Sequence, residues 1–165
     1  MKPERILGFV EQFVKITTKN KVRLILVGGA AVNFHGFQRN SEDIDFWIDT
    51  SSENMKRFQS TLRQMGYKFS DFPEKVRKGK QNITIKFGPT RIEILVRYDL
   101  NKTFEQAYQN CQKVQIKGHD LKYHVLGYDD LIASKFKSGR KQDLLDIETL
   151  QKIKKTSDKQ KKSAD

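Results

Sequence analysis

The sequence is poor in residues that staple a chain or hold a transition metal. It has one cysteine, Cys111, in 165 residues, so no internal disulfide can form. Cys111 has no Cys or His partner at metal-ligand spacing. The histidines His35, His119 and His124 show no zinc spacing. No Ser or Cys is placed in sequence as an activated nucleophile. No apolar run approaches the roughly 20 residues that span a bilayer. With no secretory signal pattern at the N-terminus, the expected location is a reducing cytoplasm. There is no internal repeat. Acids are in deficit, 20 Asp and Glu against 32 Lys and Arg, for a net charge of +12. That surplus suits a polyanionic partner or substrate, and a plain solvated basic surface gives the same number.

What is present is organised around Leu24–Asp49. Leu24–Val27 is a short apolar run with a β-branched content that predicts a buried strand. Gly28 and Gly29 break it. Ala30, Ala31, Val32 and Phe34 suit a helix that Gly36 ends, and Arg39, Asn40 and Ser41 form a polar loop. Asp43–Ile48 reads as a second strand, on which Asp43 and Asp45, two apart, leave the same face. Backbone amides at a glycine turn suit a phosphate. A carboxylate pair suits a hard divalent cation. Together they describe a nucleotide with its magnesium.

Gly28-Gly29, the helix-length spacer and Asp43-x-Asp45 resemble the signature of the nucleotidyltransferase superfamily related to the DNA polymerase β palm. The form Arg39-x-x-x-Asp43-Ile-Asp45 is most similar to small bacterial nucleotidyltransferases of the abortive-infection and type IV toxin–antitoxin groups. The motif covers about one sixth of the chain, and the order of its parts is more specific than either part alone. The resemblance implies an α/β (α+β) fold, a mixed β-sheet flanked by helices with further helices at the C-terminus. It implies transfer of a nucleoside monophosphate from an NTP to a hydroxyl, with two Mg²⁺ ions held by Asp43, Asp45 and a third carboxylate on a later strand. Glu93 fills that place, in the middle of the otherwise apolar strand Arg91–Val96. Its alternative role is to pair with a neighbouring Lys or Arg on an open sheet face, and Asp99 is the next carboxylate in line.

The remaining chain frames this centre as one domain over 1–153, long enough for a core at 36% apolar content. Glu4–Thr18 predicts a helix with Ile6, Leu7, Val10, Phe13 and Val14 on one face. Thr50 and Glu53 suggest a capping box for a helix striped by Met55, Phe58, Leu62 and Met65. Lys75–Lys80 reads as a basic loop, either a nucleic-acid contact or simply solvated. Ile83, Ile85 and Phe87 alternate as a strand returning through Gly88-Pro89-Thr90. Asn101 or Thr103 caps a short helix to Asn110. Lys113–Lys117 and Leu121–Val125 suggest a hairpin. Tyr128–Ser138 predicts a helix with Leu131, Ile132 and Phe136 inward, and Lys135 on or beside that face. Arg140 opens a last helix lined by Leu144, Ile147, Leu150 and Ile153, with Asp143 and Asp146 as charges near its N-terminus. Lys135…Arg140-x-x-Asp143-x-x-Asp146 is similar to the C-terminal part of the same small enzymes, which implies Lys135 and Arg140 near the triphosphate. Gly28, Gly29, Arg39 and Ser41 complete the expected nucleotide contacts, although Arg39 has the alternative of bracing its loop. Residues 154–165 read as a disordered basic tail.

Three functions compete on this reading. The first is nucleotidyl transfer to RNA, such as a tRNA end, by a toxin with a cognate antitoxin. The second is modification of an aminoglycoside or lincosamide antibiotic. The third is a non-catalytic relative that binds nucleic acid or a partner.

Overall fold

The computed structural model describes residues 11–39, 43–87, 90–116 and 118–164. A six-stranded mixed sheet, in the order β3-β4-β2-β1-β6-β5, forms its centre. The chain enters by α1 (Glu11–Lys19), β1 (Leu24–Val27), α2 (Gly28–Phe34) and β2 (Asp43–Ile48). It continues through α3 (Ser52–Gln64), α4 (Glu74–Arg77), β3 (Ile83–Phe87) and β4 (Thr90–Leu95). α5 (Phe104–Gln109), β5 (Gln112–Gln115), β6 (Lys122–Val125), α6 (Tyr128–Ser138) and α7 (Lys141–Ala164) complete it. The expected α/β architecture is therefore the observed one.

Pairing fixes the two faces of the sheet. β1 runs antiparallel to β2 with Val27 opposite Asp45 and Leu26 opposite Phe46. β2 runs parallel to β4 with Asp45 beside Glu93 and Phe46 beside Ile94. Because paired residues share a face, Leu26, Phe46, Ile48, Ile92 and Ile94 point one way, and all five are nearly inaccessible to solvent. Helix α1 covers that side, with the Phe13 ring 5.5 Å from Phe46. The other side carries Asp43, Asp45, Trp47 and Glu93. Tyr98 lies against Trp47 there, with ring centroids 5.3 Å apart. The Tyr98 hydroxyl is 2.8 Å from Ser134 Oγ, which brings α6 over this second face.

Several sequence expectations shift. The cap of α3 is Ser51, whose hydroxyl accepts from Asn54 N, rather than Thr50, because Asp49 already accepts from Ser51 N and turns the chain one residue later. Thr103 and Gln106 form a full capping box on α5. Lys75–Lys80 is helical over its first three residues and a turn beyond them, with Lys75, Arg77, Lys78 and Lys80 all exposed. Val76 is buried in the core and pins the short α4, and Lys78 pairs with Glu74. Residues 1–10, Ser41 and the Gly88-Pro89 turn lie outside the described residues.

The largest departure is the tail, expected to be disordered but helical to Ala164. No Gly or Pro interrupts 141–164, and Lys, Gln and Ala favour helix. Ile153 packs close to Gly36, where a Cβ would come within 3.3 Å of it. Lys154 Nζ sits 4.3 Å from the Tyr128 ring centroid, and Lys152 pairs with Glu148 one turn back. Beyond Lys154 the helix is exposed throughout its described side chains, so the expectation that it buries little holds.

Candidate active site

The site is assembled where β1 ends. Helix α2 starts directly on Gly28, whose φ of +64° is a left-handed conformation. A Cβ at Gly28 would lie 2.7 Å from Asp45 Oδ2. Glycine is therefore needed here twice over, for backbone conformation and for the carboxylate's approach. Gly29 follows, buried in the first turn.

Asp43 and Asp45 share a face of β2, and Glu93 joins them because β4 pairs in parallel with Asp45 beside Glu93. Asp45 feels the other two carboxylates. Burial, then Asp43, then Glu93 push the Asp45 carboxyl up to about 6, against the opposing pull of Lys135 and Arg140. Glu93 Oε1 accepts from Thr84 Oγ1 at 2.8 Å and from Arg91 Nε at 3.1 Å. Both contacts use Oε1, and neither uses Oε2. The pairing with a neighbouring arginine is thus present together with the shared face. Among the described residues, no three His, Cys, Asp or Glu side chains are drawn into a preformed metal cluster. The donor set nonetheless suits a divalent cation, because hard oxygen ligands share one face and Asp43 and Glu93 raise the proton affinity of Asp45.

Beside the carboxylates lies a buried ionic cluster. Lys135 is 7% exposed, Asp143 1% and Asp146 0%. Lys135 Nζ lies 3.2 Å from Asp143 Oδ1 and 3.0 Å from Asp146 Oδ2. Arg39 grips Asp146 with two bonds, Nε to Oδ1 at 2.8 Å and a terminal nitrogen to Oδ2 at 3.0 Å. Arg140 donates its Nε to Asp143 Oδ2 at 2.8 Å and its backbone N to the same oxygen at 3.2 Å. Burial pushes the Asp143 carboxyl up, but hydrogen bonds from Arg140, Ser138 and Lys135 outweigh it and hold the group at about 2.

Two sequence readings are corrected here. Asp143 and Asp146 are not simply charges at a helix start. They occupy the inner stripe of α7, at the i, i+3, i+4, i+7 spacing of Asp143, Asp146, Ile147 and Leu150. Leu144, about half exposed, and Phe136, 74% exposed, face outward instead of lining the interior. The one local signal was the helical spacing of the two acids with Ile147 and Leu150, which puts all four on one stripe.

The geometry can be placed among known proteins. The family model described as "Nucleotidyltransferase of unknown function (DUF6036)" matches residues 4–160. The chain belongs to this nucleotidyltransferase family. It is an enzyme that transfers nucleotidyl groups. Its fold is similar to the crystal structure of the lincosamide antibiotic adenylyltransferase LnuA bound to lincomycin, with a TM-score of 0.55. The likeness covers 88% of this chain and 96% of that one at 18% identity, which shows shared fold alone. No curated protein matches the chain. Among the described residues of the nucleotidyltransferase, no helix is long and apolar enough to cross a membrane.

Proposed function

We propose that this nucleotidyltransferase moves a nucleoside monophosphate from an NTP to a hydroxyl of RNA, with Asp43, Asp45 and Glu93 as its carboxylate centre. The observation that carries this reading is the placement of Asp45, beside Gly28 on one strand and Glu93 on the other, with its proton affinity raised to about 6. Asp43 and Asp45 would hold Mg²⁺, with Glu93 contributing the oxygen that Thr84 and Arg91 leave unengaged. When bound, Mg²⁺ lowers the pKa of the acceptor hydroxyl and offsets charge on the triphosphate.

The chain's own groups then supply position and field. Gly28 and Gly29 let backbone amides approach phosphate oxygens without a side chain between. Arg140 is the better phosphate ligand of the two expected cations, because its side chain is 76% exposed while Asp143 fixes its Nε. Lys135 stays between Asp143 and Asp146 and acts as a positioning residue, adding positive potential at Asp45. Arg39 braces the loop leaving α2 against α7 through Asp146. Ser41 remains a proposed phosphate contact on sequence grounds.

The RNA acceptor is favoured by the net charge of +12 and by α7, whose outer half presents Lys155, Lys159, Lys161 and Lys162 to solvent. A tRNA end and a toxin role with a cognate antitoxin follow from the sequence resemblance. The test is transfer of labelled nucleotide, with Mg²⁺, to total RNA and to a panel of hydroxylated antibiotics, at two salt concentrations. Labelled RNA, falling steeply with salt, is expected. Label on an antibiotic and none on RNA would replace this acceptor by a small molecule. Absence of any transfer, with no Mg²⁺-dependent NTP binding, would refute catalysis by this chain.

A further inference from the structure

The carboxylate face of the sheet continues past Glu93 to the edge strand β3. Register sets two rows of side chains across it. In one row Thr84 lies opposite Glu93, and Glu93 beside Asp45. In the next Lys86 lies opposite Arg91, and Arg91 beside Asp43. Paired residues share a face, so Lys86 and Arg91 leave the sheet on the carboxylate side. The buried Ile85 and Ile92, which pair with each other, take the opposite face. The rows are two residues apart along a strand, about 7 Å.

The pair Lys86–Arg91 is electrostatically unfavourable as it stands. Residues directly opposite on antiparallel strands have Cβ atoms about 4.5–5.5 Å apart, and like charges there destabilise the pairing. Glu93 offsets only part of this. Arg91 donates its Nε to Glu93 Oε1 at 3.1 Å. Its side chain is 57% exposed, and its terminal nitrogens make no hydrogen bond among the described residues. Lys86 is exposed, and its ammonium has no partner among the described residues either. Its backbone is nonetheless held, because the Tyr67 hydroxyl donates to the Lys86 carbonyl at 2.8 Å and ties down the outer edge of β3. Two cations with unengaged donors are therefore fixed side by side, one of them bonded to a carboxylate of the centre.

The geometry of transfer says what would meet them. Gly28 closes on Asp45 from the β1 side, and the triphosphate of the proposed reaction lies on that side. In displacement at phosphorus the attacking and leaving oxygens are roughly in line. The acceptor oxygen then approaches from the other side, over β4 and β3. It bonds to the α-phosphorus as the bond to pyrophosphate breaks, and the hydroxyl proton passes to water. A hydroxyl seated beside Glu93 leaves the next part of its molecule over the row of Lys86 and Arg91. A cationic antibiotic would be repelled there. A polynucleotide end would bring a phosphate, which answers both charges at once.

We infer that Arg91 and Lys86 form a subsite for the acceptor, binding the phosphate next to the reactive terminal hydroxyl of an RNA. The inference rests on the RNA reading above and adds the residues that recognise the acceptor.

The experiment compares wild type with Lys86→Ala, Lys86→Glu and Lys86→Arg in the full chain. Arg91 is left intact because it also holds Glu93. Two quantities are read with Mg²⁺ at two salt concentrations. One is the apparent KM for total RNA in transfer of labelled nucleotide. The other is binding, by fluorescence anisotropy, of a short RNA whose last phosphodiester before the 3′ hydroxyl is either normal or a neutral methylphosphonate. Lys86→Ala should raise KM about fivefold at low salt and Lys86→Glu further, while Lys86→Arg stays near wild type. The salt slope for binding should fall by about 0.7 in Lys86→Ala, the loss of one single-strand phosphate contact. NTP affinity should not change. The neutral linkage should weaken binding by wild type and have little further effect on Lys86→Glu. RNA labelled with equal KM by all four proteins would overturn this subsite and leave the RNA acceptor standing. So would a neutral linkage that weakens wild type and Lys86→Glu equally, or a loss of NTP affinity in Lys86→Ala, which would give the row to the triphosphate. Wild type that labels no RNA would refute the acceptor reading, and the subsite with it.

Discussion

Replacing Asp45 by Asn should make the folded protein more stable at neutral pH while abolishing transfer. The Asp45 carboxyl is raised from its ordinary 3.8 to about 6, first by burial and then by Asp43 and Glu93. In the folded state it therefore holds its proton more tightly than in the unfolded state. Folding is unpenalised below about pH 4, where both states are protonated. The penalty grows as pH rises through the folded value and is complete above about 7. A rise of that size corresponds to about 3 kcal/mol, and partial exposure of the side chain reduces this to about 2 kcal/mol. Asn cannot ionise, so Asp45→Asn removes the penalty. For a chain of this size the melting temperature at pH 7.5 should rise by about 4–8 °C. The same comparison near pH 4 should show little difference. The other titrating groups, Asp143 among them, are common to both proteins and cancel. The assay is a pair of thermal melts at the two pH values, repeated with Mg²⁺. Mg²⁺ should raise the melting temperature of wild type at pH 7.5 and of Asp45→Asn much less. A variant that melts lower than wild type at pH 7.5, or a gain equal at both pH values, would refute the argument that Asp45 is held ionised against its surroundings.

Gly28→Ala places a methyl group 2.7 Å from Asp45 Oδ2 on a backbone at φ +64°. It should cost about 2 kcal/mol or more in chemical denaturation, and a denaturation midpoint equal to wild type would contradict the close approach. Asp146→Ala leaves Lys135 with one carboxylate fewer and Arg39 without its bidentate partner, a loss of about 3–5 kcal/mol for a broken buried pair. A loss under about 1 kcal/mol in urea would show that the cluster is hydrated rather than buried. Because Asp143 is held at about 2, its stabilising contribution should be intact above about pH 4 and disappear as pH falls through 2. Asp143→Asn should therefore flatten acid unfolding in that window. Deleting residues 155–165 removes the exposed end of α7 with Lys155, Lys159, Lys161 and Lys162. Cooperative melting should persist while RNA affinity and its salt dependence both fall, and an unchanged salt slope would place the RNA surface elsewhere.

The parts of this site that were legible in the sequence are those whose geometry is set within a single element. Asp43 and Asp45 share a face because a strand repeats every two residues, and Gly28 follows β1 with no intervening turn. The face taken by Glu93 depends on something no local spacing contains, the parallel register of β4 on β2. A slip of one residue would have turned Glu93 into the core and exposed Ile92 or Ile94. Those two isoleucines, fully buried, are what fix the register, so hydrophobic packing on one face positions the carboxylate on the other. The ionic cluster was misread for a related reason. Pattern reading assigns the inside of a helix to its leucines, and by that rule Leu144 belongs inward. Asp143 and Asp146 take the inward positions because Lys135, on the preceding helix, and Arg39, 107 residues from Asp146, meet them there. Each charge is costly to bury alone, so none of the four specifies the interior by itself. The cluster forms only once the sheet has brought the loop after α2 against α7. The phosphate-ligand candidate Arg140 is then left exposed at its edge, and this is why the chain's strongest local motif sits beside its least local one.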